Sequence, residues 1–183
     1  LRRMKKDKLD GIPKKHIFSC PEEMPEYQKR CYMAVLQAGR QKMIEPLMMI
    51  AKLRDISLHP ELGSKQAKAF YAMEPDAVIG QSARLIRLFA ILEEIRQRGE
   101  KALIFLVSHK MQLILRHLLQ EKFNMQVLPP VNGNINGAAR QKIVNQFRAA
   151  TGFQVLILSP EAAGVGFTIT EANNVIHLSR CWN

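Results

Sequence analysis

From residue 82 onward the apolar positions keep two rhythms in turn. Leu85, Leu88, Phe89 and Leu92 recur at helical spacing after Ser82, a residue suited to cap a helix, and Gly99 ends the run after Arg98. Ala102 to Val107 is then unbroken apolar, the pattern of a strand buried on both faces of a parallel sheet. Ser108-His109 opens a second helix that runs to about Phe123. Gln126 to Val131 reads as a strand and Asn132-Gly133-Asn134 as a turn. Gly137 to Ala150 reads as a helix with Ile143, Val144 and Phe147 inward. Val155 to Leu158 is another apolar strand, ended by Ser159-Pro160. A small-residue turn follows, Ala162 to Gly166, and Val175 to Leu178 is the last strand before Trp182. Strands and helices alternating at this interval predict a right-handed parallel α/β sheet.

The first third has a different pattern. His16 to Cys20 is a short strand candidate, and Pro21 to Pro25 suits a helix start. Tyr32, Val35 and Leu36 lie on one face of a helix from Tyr27 to about Met43. Pro46 interrupts it. A second helix follows to about Ser57, with Leu47, Ile50, Ala51 and Leu53 on its face. Met43, Met48 and Met49 read as core filling. His59-Pro60 closes this helical part. Gly63 to Gly80 is polar, broken by Pro75 and Gly80, and reads as a loop.

Composition narrows the class. A chain of 183 residues, 47% hydrophobic, can bury a core and suits one domain with a helical attachment. No apolar run reaches the ~18 residues of a membrane span. There is no initiator Met, so a piece of a longer protein is expected. Cys20, Cys31 and Cys181 form no CxxC pair and read as reduced thiols. The net charge of +11 sits at the two ends. Residues 1–60 hold thirteen Lys/Arg against seven Asp/Glu, residues 61–100 six against six, and residues 101–183 eight against three. Seven of the cations lie in Leu1 to Lys15. A polyanion, most often nucleic acid, is the expected partner.

The candidate chemistry is mostly exclusion. GSKQ at Gly63 to Gln66 lacks the upstream glycine and the Ser/Thr of a P-loop. Residues 101–183 have Glu121, Glu161 and Glu171 as their acids, with no pair spaced for Mg²⁺ or for acid–base work. His109 and His117 have no third ligand for zinc, and Ser108-His109 has no nucleophile elbow. What remains is geometric. In a parallel sheet Ser108-His109, Asn132-Gly133-Asn134 and Ser159-Pro160 all fall at strand carboxyl ends, on one rim, with Lys110 and Arg140 close by. Hydroxyls, small turns and helix N-termini there offer donors to phosphate oxygens. Gly164 and Gly166 permit close backbone approach to a bound group.

Three stretches, LIFLVSH, VNGNINGAARQKIVNQF and VLILSPEAAGVGFTITEANNVIHLSRCWN, resemble the second RecA-like lobe of Swi/Snf-type ATPases, which are superfamily-two DNA translocases. Upstream, LRRMKKDKL and IPKK resemble the segment joining the family's two lobes, and LRDISLHPEL its LRxxxxHPxL signature. The resemblance implies an interlobe linker at 1–20, a helical protrusion at 21–80, and a RecA-like lobe at 81–183 that stops before the arginine-finger motif. It places Ser108, His109, Asn132, Gly133, Arg140, Ser159 and Pro160 along double-stranded DNA, and Trp182 at the end of motif V; with Lys110 and Asn134 from the rim, these are the candidate DNA-binding residues. It places Gly164, Val165 and Gly166 at the nucleotide cleft. ATP and Mg²⁺ would be used by the full-length protein together with the absent N-terminal lobe. This chain alone would be inactive, with no catalytic residue and no metal site of its own. The location implied is nucleoid-associated in the cytoplasm of a prokaryote, or the nucleus of a eukaryote. The pattern departs from the family at Pro160 and Glu161, where Thr and a basic residue are usual. It departs again at Ala163 and at Phe167-Thr168-Ile169. Two other functions share the fold: an ATP-independent nucleic-acid-binding adaptor and an RNA-unwinding helicase.

Overall fold

A computed structural model of the chain describes residues 16–163 and 169–180, so most of the linker expected at 1–20 lies outside the described residues. Three parallel strands form the sheet: β1 (Lys101–Phe105) in the centre, β2 (Gln154–Leu158) on one side and β3 (Asn174–His177) on the other. Leu103 lies beside Leu156 in one register and beside Val175 in the other. Because strand side chains alternate between faces, β1 and β2 each feed two cores. Ala102, Ile104, Val155 and Ile157 pack with Leu88 and Leu92 of α5 (Ala83–Gln97) and Ile114 and Leu118 of α6 (His109–Phe123). Leu103, Leu156 and Leu158 pack with Ile143, Val144 and Phe147 of α7 (Gly137–Ala149). The expected parallel sheet between helices is therefore present.

The helix ends explain themselves chemically. Ser82 Oγ accepts from the Leu85 amide at 3.3 Å, and Asn136 Oδ1 from the Ala139 amide at 2.8 Å, so side chains satisfy orphan donors of α5 and α7. Gly99 follows α5 at φ +65°, a conformation that favours glycine. Lys101 is buried at the start of β1. Its ammonium donates to the Phe147 and Arg148 carbonyls at 2.9 and 3.0 Å, closing the carboxyl end of α7 with a cation where the helix dipole favours one.

The helical protrusion is a hairpin of α1 (Glu26–Arg40) and α2 (Pro46–Leu58). Its root is bolted to α5. Gln28 is fully buried; its Nε2 donates to the Ile56 carbonyl at 2.7 Å and its Oε1 accepts from the Ala83 amide at 3.0 Å. Ser82 Oγ also donates to the Leu58 carbonyl at 2.6 Å. His59 Nδ1 accepts from the Glu61 amide at 3.2 Å, which leaves Nε2 to donate to the Val78 carbonyl at 3.2 Å. Burial depresses the His59 pKa to about 4, so the ring stays neutral.

Four sequence expectations need correction. Gln126 to Val131 is not a strand. Only Val131 bridges Leu158, because Pro129 and Pro130 have no amide to donate to a ladder. His16 to Cys20 forms no regular structure and is exposed. The 63–80 stretch is not wholly loop: it holds α3 (Ala67–Tyr71) and α4 (Pro75–Gly80), with Phe70 and Val78 buried in the main core. Two of the three methionines are not core. Met43 and Met48 are 73% and 55% exposed, whereas Met49 is half-buried with its sulfur against Gly39 of α1; the buried apolar residues of α2 are Ile56 and Leu58, while Leu47 is exposed.

Candidate nucleic-acid interface

Three turns meet at the carboxyl ends of the strands. Leu106 continues β1, its amide donating to the Leu158 carbonyl at 2.9 Å. Val131 lies against the end of β2: its amide donates to the Ile157 carbonyl and its own carbonyl accepts from the Ser159 amide, both at 2.9 Å. The turn that begins at Asn132 is therefore held beside Ser159. Gln112, in the first turns of α6, completes the join. Its Nε2 donates to the Leu106 carbonyl at 2.7 Å, and its Oε1 accepts from Asn132 Nδ2 at 2.8 Å.

Each predicted residue that the structure describes has a definite place on this rim. Ser108 caps α6, its Oγ accepting from the Met111 amide at 3.3 Å. His109 begins the helix and is exposed. Asn132 Oδ1 accepts from the Asn134 amide at 3.1 Å, an Asx turn that leaves Gly133 and Asn134 exposed at its tip. A side chain at Gly133 would meet nothing within 4 Å, so that glycine leaves room above the turn. Ser159 is buried, and its Oγ accepts from the Ala162 amide at 3.2 Å. Pro160 and Glu161 open the short helix α8 (Pro160–Ala163). Serine as cap, proline first and an acid in the first turn form a helix start that the backbone dipole favours. That gives Glu161 a local structural reason.

The two cations are less free than the sequence implied. The Lys110 ammonium donates to the Leu62 carbonyl, beyond the end of α2. Arg140 Nε turns back to the Ile135 carbonyl at 2.6 Å, so its guanidinium steadies the loop that follows the Asx turn. Gly164, Val165, Gly166 and Trp182 lie outside the described residues. Gln112 was missed. A fully buried amide in the apolar face between Met111 and Leu115 is the signal that could have found it.

The described residues do not fit a magnesium site. Glu171 pairs with Arg148 at 3.3 Å, and no three His, Cys, Asp or Glu side chains converge among the described residues. Among the same residues, no helix is long and apolar enough to cross a membrane.

Comparisons with known proteins bear on this geometry. The family described as "Helicase conserved C-terminal domain" matches residues 83–183. The Bacillus subtilis protein YwqA, which carries a provisional name as an ATP-dependent helicase/translocase, is 32% identical over 79% of this chain and 15% of its own length. The Sulfolobus solfataricus SWI2/SNF2 ATPase C-terminal domain superposes with a TM-score of 0.70 at 27% identity, covering 87% of this chain and 70% of that one. The core of the same ATPase, solved with double-stranded DNA, gives 0.68 at 26% identity over 88% and 34% of the two chains. The chain spans 8% to 18% of the length of the curated relatives it matches.

Proposed function

The chain belongs to the helicase conserved C-terminal domain family, as the second RecA-like lobe of a Swi2/Snf2-type ATPase, and on that premise we propose that its rim binds the DNA backbone while Gly164, Val165 and Gly166 complete an interlobe ATP site. The observation that carries the reading is the junction of three turns. Ser108, Asn132 to Asn134, and Ser159 are held together by Gln112 and Val131, at the N-terminal ends of α6 and α7. Such a rim presents neutral donors and helix dipoles to phosphate oxygens and reads no base. The related archaeal core solved with double-stranded DNA supports duplex DNA as the ligand.

In the whole protein, ATP and Mg²⁺ would be held chiefly by the partner lobe, which the family reading supplies with the phosphate loop and the acids. ATP supplies the phosphoryl transfer whose cycle closes and opens the lobes. This chain's part is to hold one side of the cleft and to carry the backbone-binding rim with each closure.

The test uses the 1–183 chain and a labelled duplex of random sequence, titrated at several salt concentrations. About four phosphate contacts give a log–log salt slope of roughly −3.6, with affinity indifferent to base order. The same chain does not turn over ATP, whereas the two-lobed protein does so when DNA is added. Affinity that ignores salt, or turnover by the single lobe above a contaminant control, overturns the reading.

A further inference from the structure

A second cationic feature lies next to the rim and was not among the sequence candidates. Between the helical protrusion and the carboxyl end of β3 runs a cleft of about 420 Å³. Arg54 and Ser57 of α2, Arg84 of α5, Ser108 at the cap of α6, and Ser179 and Arg180 after β3 line it, and no carboxylate does. Three guanidinium groups from three separate segments thus face one space. Among the described residues none of the three has an ion pair.

Two of the three neighbouring hydroxyls are arranged as donors; the third, Ser57, gives its proton to the Arg54 carbonyl at 2.7 Å. Ser108 Oγ accepts from the Met111 amide, and Ser179 Oγ accepts from the Val107 amide at 2.9 Å. With those lone pairs engaged, each hydroxyl proton is left to donate. Arg84 is anchored by a bond to the Leu178 carbonyl, which fixes one side of its fork and leaves the rest for another acceptor. Burial lowers the Arg84 pKa, and no neighbouring carboxylate offsets that cost. Like charges gathered without a counter-charge repel, so an anion is the component that completes the set. Planar forks and hydroxyls match the oxygens of a phosphate group, and the volume is far larger than a halide needs.

We propose that the Arg54–Arg84–Arg180 cleft is a phosphate-binding site that takes a nucleic-acid backbone phosphate. Ser108 belongs to both the cleft and the rim, so the site extends the proposed DNA path from the sheet onto the root of the protrusion. The choice of a backbone phosphate over free phosphate rests on the function proposed above. The phosphate chemistry itself does not.

The experiment compares the wild-type 1–183 chain with Arg54→Gln, Arg180→Gln and their combination, and with Arg98→Gln as a distant control. Arg54 and Arg180 are exposed, so the variants keep the native melting temperature. Thermal melts are run with inorganic phosphate against chloride at matched ionic strength, alongside duplex titrations. The expected result has two parts. Phosphate raises the wild-type melting temperature more than chloride does, and the double variant loses that difference. The double variant also binds duplex about tenfold or more weakly, with a salt slope shallower by about 0.9, the share of one phosphate contact. An equal phosphate response in wild type and double variant overturns the site. Wild-type duplex affinity in the double variant overturns the backbone assignment while leaving the rim's DNA reading intact. A phosphate response lost in the double variant, from a wild type that binds no duplex, overturns both the backbone assignment and the DNA reading and leaves a free-phosphate site.

Discussion

The bond between Gln112 and Asn132 is the most direct handle on the rim, and its worth can be worked out from the structure. Gln112→Met keeps the volume and the helix but removes both polar ends. Two bonds disappear. The Leu106 carbonyl, in a fully buried residue, loses the side-chain donor at 2.7 Å. An orphaned buried acceptor costs about 1–3 kcal/mol. Asn132 is half-buried and can turn to water, so its bond at 2.8 Å contributes about 1 kcal/mol or less. The total is about 1–4 kcal/mol, which for a chain of this size lowers the melting temperature by roughly 2–16 °C. Asn132→Ala alone orphans the Oε1 of the fully buried Gln112 and should cost about 1–3 kcal/mol, and in the double variant the shared bond is counted once. A double-mutant cycle by urea titration should therefore return a coupling energy of about 1 kcal/mol. Under the proposed function both single variants weaken duplex binding, because the Asn132 turn is no longer held beside Ser108. Additivity within about 0.3 kcal/mol would refute the bridge, and with it the account of how the three turns are joined.

Two further outcomes follow from buried polar groups. His59 titrates near 4 in the fold and near its ordinary 6.5 when unfolded. Its neutral form contributes stability that is fully present above pH 6.5 and is lost as pH falls towards 4. The wild type should lose about 2 kcal/mol between neutral pH and about pH 4.5 beyond what His59→Gln loses over the same range; parallel pH curves from urea titrations would show that the ring is not held neutral. Lys101→Met should destabilise the lobe by about 2 kcal/mol, since it strips two carbonyls at the end of α7 of their donor; an unchanged denaturation midpoint would show that those carbonyls are solvated.

The regular core was legible because periodicity reports on it directly. Ser82 and Ser108 marked their helices, and the apolar runs at 102–107 and 155–158 gave β1 and β2. What was not legible depended on distance in the chain. Pro129 and Pro130 reduced a strand to one bridge, a case where an apolar pattern outweighed the missing amides in the reading. Met43 falls in the connection between α1 and α2, and Met48 lies with Leu47 on a part of α2 that is exposed; periodicity cannot tell a covered face from a bare one. Gln28, Lys101 and Gln112 are polar residues with partners twenty to fifty-five positions away, which no local window contains; the exception is the Gln112 bond to Leu106, six positions back. Of the rim itself, the turns were visible at the level of sequence. The bonds that join them were not, nor was the engagement of Lys110 with Leu62.

Besides the apolar packing of Leu58, the root of the α1–α2 hairpin is fixed by bonds from side chain to main chain: Gln28 to Ile56 and Ala83, Ser82 to Leu58, His59 to Val78. Such bonds recognise backbone groups, which every sequence supplies. The far end, with Met33, Met43, Leu47 and Met48 in the open, takes no part in them. The angle at which the hairpin leaves the lobe is therefore set by Gln28, His59 and Ser82, and the side chains at its far end take no part in setting it.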